Sequence, residues 1–359
     1  MASTINFSAL TFSTEEIRDL NELLFKSIVE ADEFQKFHSI LTGIKYDREI
    51  GRVGEFGLVG KAGQGCSPTS DTFTLSVTKK TWQPKVWEII RDECFTDLNS
   101  TLAIYAKKFG TEEPDLTGTA YMDMVQDKLR VAIQKMLWRI AWFNDTAAAT
   151  VDDSPAGTLT SGTSAAYFNL LNGFWKQIDV IFAATPARRG TIAANSQATK
   201  ALQWSAFTST LAYGYAQDMV YNCTPELRAA SNKVALCTRS FVDKLEQYLM
   251  SKSIVPAYDN EVNGFNSKVS GLKLLGISWY PIDIWDEIIN AYYNNGSALY
   301  RPHRAVLTTK DQLMIGVPST SILENVDISF FKESRKNRVE VRDQIDAKIA
   351  EDHMIQVAL

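Results

Sequence analysis

Histidine and cysteine are scarce in this 359-residue chain, and both are scattered. His38, His303 and His353 share no metal-ligand spacing, so each reads as a surface or hydrogen-bonding residue. Cys66, Cys94, Cys223 and Cys237 contain no two-residue gap of the zinc or thioredoxin-like kind. Buried free thiols in a reducing compartment fit them better than disulfides. No metal and no cofactor is expected. There is no run of about 18 apolar residues, so no membrane span is expected. Residues 1–10 carry no basic residue and no continuous apolar stretch, which argues against a signal peptide. Net charge is −5, too small and of the wrong sign for tight phosphate binding, and no basic stripe is visible. Together these absences lead us to expect a soluble protein, made and used in a cytoplasm.

Catalytic motifs are missing as well. No G-x-S-x-G nucleophile elbow occurs. Gly60-Lys61 fails as a phosphate loop, because Glu55 stands where glycine is needed and Ala62 where Ser or Thr is needed. Glu112-Glu113 and Asp152-Asp153 fall in loop-like sequence, where adjacent acids are solvated more often than they form a dyad or cation site. Arg188-Arg189 reads as solvated or as a subunit contact. Trp279-Tyr280, Trp285 and Tyr292-Tyr293 read as core or interface rather than a ligand platform. No catalytic residue is nominated.

What is present is ample apolar material: 45% hydrophobic residues, with eight Trp, thirteen Tyr and eighteen Phe. The length allows two or three compact units of roughly 100–200 residues each. Ser13 or Thr14 can cap a helix, with Glu15 and Glu16 in its first turn and Ile17, Leu20, Leu24, Ile28 and Phe34 at near-helical spacing. That stripe packs either on a neighbouring chain or on the chain's own core. Glycines at 51, 54, 57, 60 and 63 then recur every third residue, interleaved with Val53, Phe56, Leu58 and Val59. The run is short and lacks proline, so it is not collagen; it reads as an extended loop stable mainly against another surface. Phe73, Leu75 and Val77 alternate like a half-buried strand, and Asp92 to Phe109 reads as a short helix.

The longest periodic segment runs from Tyr121 to Phe143. Met122, Val125, Leu129, Ile133, Met136, Ile140 and Phe143 recur at spacings of three and four, with Thr119 as the cap. At 1.5 Å per residue such a helix is a rod of roughly 35 Å. Its apolar face is expected to pack on a sheet formed partly by the C-terminal tail. Beyond an Ala-, Thr- and Gly-rich loop to Ser164, helices are expected over Phe168–Phe182, Thr199–Tyr215 and Ser240–Lys252. Strands are expected over Lys233–Cys237, Leu272–Tyr280 and Arg304–Thr308, and again around Val326–Phe330, Val339–Val341 and Ile355–Val357.

This order of segments resembles the major capsid protein of tailed double-stranded DNA bacteriophages. The resemblance covers nearly the whole chain and is carried by order more than by any single motif. Trp142-Phe143-Asn144-Asp145 is similar to the family's spine-helix end, with asparagine at 144 in place of the usual glycine. Phe168-Asn169 and the run Asn172 to Ile178 look like the opening of its axial domain. Met250-Ser251, the stretch to Gly276 and Pro281-Ile282-Asp283 resemble the segment beside its symmetry axis, and Asp343 to Leu359 resembles its tail. The resemblance implies an α+β, Hong Kong phage-type capsid fold. Its parts would be an N-terminal arm (1–42), an extended hairpin loop (43–90), a peripheral domain with the spine helix (91–150), an axial domain (151–318) and return strands of the peripheral domain (319–359).

On that resemblance the chain is a shell subunit, not an enzyme, enclosing a double-stranded DNA genome. Its partner is itself, in hexamers and pentamers. Portal protein, and scaffolding or decoration proteins, are further partners, and packaged DNA is contacted weakly. The implied location is the virion capsid, with the host cytoplasm during assembly. The arm is too short for a fused scaffolding domain, so a separate scaffolding protein is implied, or none. Inter-subunit contacts are assigned to Phe56, Leu58 and Val59 of the loop and Leu20, Leu24 and Ile28 of the arm. Lys45 and Lys61 lie where some family members crosslink to a neighbour's asparagine, and no crosslink is expected here. Two other classes stay open: an encapsulin-like compartment, which a protein cargo without DNA would reveal, and a soluble α/β enzyme, which a small oligomer would favour. Deleting residues 50–64 should leave a foldable monomer that forms no shells. Normal particles from that variant under the electron microscope would contradict the assignment of the loop.

Overall fold

The computed structural model describes residues 32–56, 75–94, 120–154, 156–262, 265–318, 326–331 and 336–359. The arm helix with Leu20, Leu24 and Ile28, the loop residues Leu58 and Val59, the Thr119 cap and the stretch around Leu98 and Leu102 lie outside them.

In chain order, helix α1 (Asp32–Phe37) leads into β1 (Ser39–Thr42), β2 (Glu49–Phe56), β3 (Leu75–Thr81) and β4 (Lys85–Cys94). The long helix α2 (Ala120–Phe143) follows, then α3 (Phe174–Ala184), β5 (Arg189–Gly190), α4 (Lys200–Ala206), α5 (Ser209–Tyr221) and α6 (Pro225–Ala229). Next come β6 (Lys233–Cys237), α7 (Arg239–Ser251), β7 (Ala257–Val262), β8 (Phe265–Leu274), β9 (Ile277–Pro281) and α8 (Asp283–Tyr292). The chain closes with β10 (Ala305–Thr309), β11 (Leu313–Val317), β12 (Val326–Phe331), β13 (Lys336–Ile349) and β14 (Gln356–Ala358).

Several expectations need correction, each for a local reason. Asp92 to Cys94 continues β4 instead of opening a helix, because β4 pairs residue for residue with β13 as far as Cys94. Helix α3 begins at Phe174, not Phe168. Its N-cap Gly173 lies so close to the end of α2 that a Cβ there would sit 2.8 Å from the carbonyl of Ala141. The helix expected over Thr199–Tyr215 is two helices, since Thr199 and Thr208 each cap one by accepting the backbone N–H three residues on. The strand expected over Leu272–Tyr280 is the hairpin β8–β9. Its turn places Leu275 at φ 54° and Gly276 at φ 73°, both left-handed as a two-residue hairpin loop requires.

Two sheets organise the fold. The first joins β1, β11, β13 and β12, with β4 also paired to β13. Strand β13 is its hub: residues 336–341 pair with β12, 336–345 with β4, and 346–349 with β11. The second has seven strands in the order β5-β14-β10-β6-β9-β8-β7. Two strands therefore belong elsewhere than the sequence suggests. β11, placed within the axial segment 151–318, joins the β13 sheet, and β14, placed among the returning strands 319–359, joins the seven-stranded sheet. Strand β4 also runs straight through the expected boundary at residue 90. Strands this short carry no signal of which sheet they enter; long-range pairing decides it.

The seven-stranded sheet is buried on both faces, which separates two cores. Val234, Leu236, Tyr280, Val306 and Val357 face a core shared with α1, α2, α3 and α8. The alternate residues Ala235, Cys237, Trp279, Ala305 and Leu307 face a second core beneath α5 and α7. The period of two along each strand is what divides them. Helix α2 packs chiefly against α3 and α8, with α3 in turn on β13, so its contact with the tail's sheet is largely relayed through α3. From Ile133 onward its apolar positions are buried: Ile133, Met136, Leu137, Ile140 and Phe143 all belong to the first core. Ile133→Asp should therefore unfold the protein, because an unpaired charge in that core costs several kcal/mol out of a total of roughly 5–15. Val131→Asp, on the same helix but exposed, should fold normally. Soluble yield and circular dichroism of the pair provide the check.

Candidate inter-subunit surface

Hairpin β2–β3 forms a two-stranded sheet that pairs with no other described strand. An isolated hairpin of this kind is at best marginally stable in water. Its ladder shifts register between Val53 and Phe56, where Gly54 and Glu55 bulge opposite a single residue of β3. Of the nominated contact residues, Phe56 ends β2, and Leu58, Val59, Leu20, Leu24 and Ile28 lie outside the described residues.

The hairpin's root is held firmly. Lys80 Nζ donates to the carbonyl of Ile349 at 2.7 Å and to Asp352 Oδ1 at 2.5 Å. The N–H of Gln83 donates to Asp346 Oδ2 at 2.7 Å. Trp82 is 1% exposed and, with Ile44, fills the space above Gly316, where any side chain would collide with both. Across the root the N–H of Asp47, a residue at φ 58°, donates to the carbonyl of Trp82, whose own N–H donates to the carbonyl of Arg48.

The chain end that emerges from the arm is anchored by His38. Its ring is fully buried, accepts at Nε2 from the Trp142 indole at 2.9 Å, and meets the Phe34 carbonyl through Nδ1 at 2.7 Å. Those two partners require the tautomer protonated on Nδ1. Burial lowers its pKa to about 3, so the ring is neutral. His303 is handled alike: Ser240 Oγ lies at 2.8 Å, the Gln203 carbonyl at 3.1 Å, the ring stacks on Phe207, and burial lowers the pKa to about 4. His353 stays at the surface, 3.9 Å from Glu351. Cys223 and Cys237 are buried free thiols.

A second exposed apolar feature was not singled out as a contact from the sequence. Helix α7 ends in a Schellman motif: Ser253 adopts φ 57°, its N–H reaches Met250, and the N–H of Ile254 reaches Leu249. The tip that follows exposes Met250, Ile254, Val255 and Tyr258, with Val255 87% exposed. The available signal was the pair Ile254-Val255 between a helix end and Pro256, apolar residues with no periodic partner. Asp152 and Asp153 are exposed and bonded locally to Ser161 and Thr150, as solvated loop acids should be. Among the described residues no cluster of His, Cys, Asp and Glu could hold a metal, and no helix is long and apolar enough to cross a membrane.

No protein-family model matches the chain, and no curated protein does. Solved structures do match. A chain of the satellite phage P4 procapsid that includes the size determination (Sid) protein is 9% identical; the match covers 94% of this chain and 98% of that one, at a TM-score of 0.51. The holo-SrpI encapsulin complex of Synechococcus elongatus is also 9% identical, over 93% and 88% at 0.47. Mycobacterium phage Adephagia is 11% identical, over 90% and 87% at 0.46. The P4 procapsid match establishes the fold class: α+β, of the Hong Kong phage-type capsid kind. Asn144, at the helix end, is not among the left-handed residues, so this backbone does not require the glycine usual there.

Buried acids oppose the buried histidines in their response to pH. Asp343 and Asp286 are raised to about 6, in each case chiefly by burial. Histidines held neutral contribute stability present above about pH 6.5 and lost as pH falls towards 4 and 3. Carboxyls raised to about 6 do the reverse: their contribution is present at low pH and lost as pH rises from about 4 through 6. Melting temperatures of the wild type should change little between pH 6 and pH 4.5. Asp343→Asn should introduce a loss of stability on acidification over that range, and His303→Gln a gain. Parallel pH profiles for all three proteins would contradict these burial effects.

Proposed function

We propose that this chain is the major shell subunit of a tailed double-stranded DNA bacteriophage, assembling with copies of itself into an icosahedral or prolate capsid. The observation that carries the proposal is the fold shared with a phage procapsid chain over nearly the full length of both. Function is then geometric. Subunits meet head to tail around axes, in heterologous contacts that close into hexamers and pentamers. The hairpin β2–β3, with Phe56, Leu58 and Val59, lies on the adjacent subunit and gains there the cover it lacks alone. Its clamped root keeps the direction of departure constant, while the bulge at Gly54 and Glu55 supplies a bend between non-equivalent positions. The arm contributes Leu20, Leu24 and Ile28 in the same way. The tip at Met250 to Tyr258 meets its copies around the axis, which accounts for its exposed apolar side chains.

The proposed divisions are an arm, a loop, a peripheral unit built on α2 and the β13 sheet, and an axial unit built on the seven-stranded sheet. A net charge of −5 suits a container that holds DNA without gripping it. Portal protein, and scaffolding or decoration proteins, complete the particle, which forms in the host cytoplasm. No residue is assigned to catalysis.

Negative-stain microscopy of the expressed protein should show uniform polyhedral particles or capsomer rings. A small, discrete oligomer under all assembly conditions would refute the proposal, and particles carrying protein cargo without nucleic acid would replace it with a compartment shell. Val255→Asp should leave the fold intact by circular dichroism and abolish rings and particles.

A further inference from the structure

Two arginines, Arg189 and Arg301, approach one carboxylate where α3, β5 and the segment before β10 meet, with Arg304 close by. Arg301 spends Nη1 on both oxygens of Asp179, at 2.8 and 2.9 Å. Arg189 approaches the same carboxylate only to 3.9 Å, and its Nε is buried with no hydrogen-bond partner. Arg304, 3% exposed, donates to the carbonyls of Arg301 and Tyr300 and lies over the rings of Phe143 and Trp175. Arg189 and Arg301 thus share one acid, Asp179, and all three of these side chains are partly exposed.

The same place holds a cavity of about 450 Å³, whose lining includes Arg189, Arg301, Tyr300, Asn195 and Gln203. Asn195 and Gln203 are committed to holding the wall: Asn195 bonds both the carbonyl and the N–H of His303, and Gln203 bonds Leu299 and Asn195. The cations are the groups with donors to spare. Arg301 reaches its position from a left-handed backbone, φ 48°, unusual for a side chain of this size. Such strain persists only where surrounding structure enforces it, and it clusters at ligand sites.

We propose that this cavity is an oxyanion site, taking a small phosphate or carboxylate ion between Arg189 and Arg301. The Nη groups of Arg189 and the unused Nη2 and Nε of Arg301 would supply the donors, in the planar arrangement that matches such ions. Asp179 does not compete with the ion, because Arg301 covers both its oxygens. Binding at this point would tie β5, on the edge of the seven-stranded sheet, to the segment leading into β10. It would therefore stabilise the subunit without touching the hairpin or the tip.

The full-length protein is titrated with inorganic phosphate and, separately, with citrate, against sodium chloride at matched ionic strength. A saturable rise in melting temperature with phosphate or citrate, absent with chloride, is expected, and the stronger of the two identifies the preferred ion. Arg189→Gln should weaken that binding at least tenfold by isothermal calorimetry, while its circular dichroism stays that of the wild type. Arg189→Lys keeps the charge and loses the planar fork, so it should bind with intermediate affinity; it also serves as the test variant if Arg189→Gln does not fold. Equal shifts in all three salts, or wild-type affinity in both variants, would overturn the site. Failure to assemble into particles would bear on the shell proposal alone, because the titration reads the folded subunit.

Discussion

Trp142, at the end of the long helix, is the contact through which the rest of the structure is held. Its indole N–H reaches His38, and its ring meets Phe174, Trp175 and Trp285 at centroid distances of 4.9, 5.1 and 4.5 Å. One side chain thus joins α1, α2, α3 and α8. The polar bond is buried and satisfied at both ends, which fixes the ring of His38 as well as the indole. Aromatic pairs at these spacings add roughly 0.5–1.5 kcal/mol each beyond the area they bury. A rigid node at one end of a helix of about 36 Å is what lets that helix act as a beam.

Around the node, the chain is woven between two sheets. It leaves the seven-stranded sheet after β10, builds the β13 sheet with β11, β12 and β13, and returns with β14. Neither sheet closes until the last residues are in place, so the two units are bound by chain connectivity as well as by contact. The clamped root of the hairpin hangs from this weave, through Asp346 and Ile349 of β13. The hairpin thereby takes its direction from β13, the strand that pairs with three others.

Charge follows a different logic inside and outside. The chain as a whole is mildly acidic, whereas its fully buried arginine, Arg304, has Arg301 beside it and Asp179 nearby. Burial, and Arg301 beside it, lower Arg304 to about 10, so it remains charged at neutral pH. Its aromatic neighbours Phe143 and Trp175 offer ring faces in place of a carboxylate.

The long helix was legible in the sequence because seven apolar residues recur at one helical spacing, a local property that needs no partner to be read. The strands β6 and β10 were legible as short apolar runs, whereas the α+β class came from the resemblance in segment order. The break at Thr208, the hairpin turn at Leu275-Gly276 and the extent of β4 were less so, since capping, turn geometry and a partner strand override the apolar pattern there. Of the contact surface, the glycine-rich loop stood out by composition, while the tip at Val255 did not, because exposure is a property of the fold. By itself the sequence determined which segments are helix or strand and which faces are apolar, through residue-to-residue periodicity. Only the tertiary structure decided which sheet β11 and β14 join, that His38 meets Trp142, and that Arg189 and Arg301 meet Asp179. Those pairings link residues as many as 275 positions apart, and their register is settled by packing rather than by any local preference.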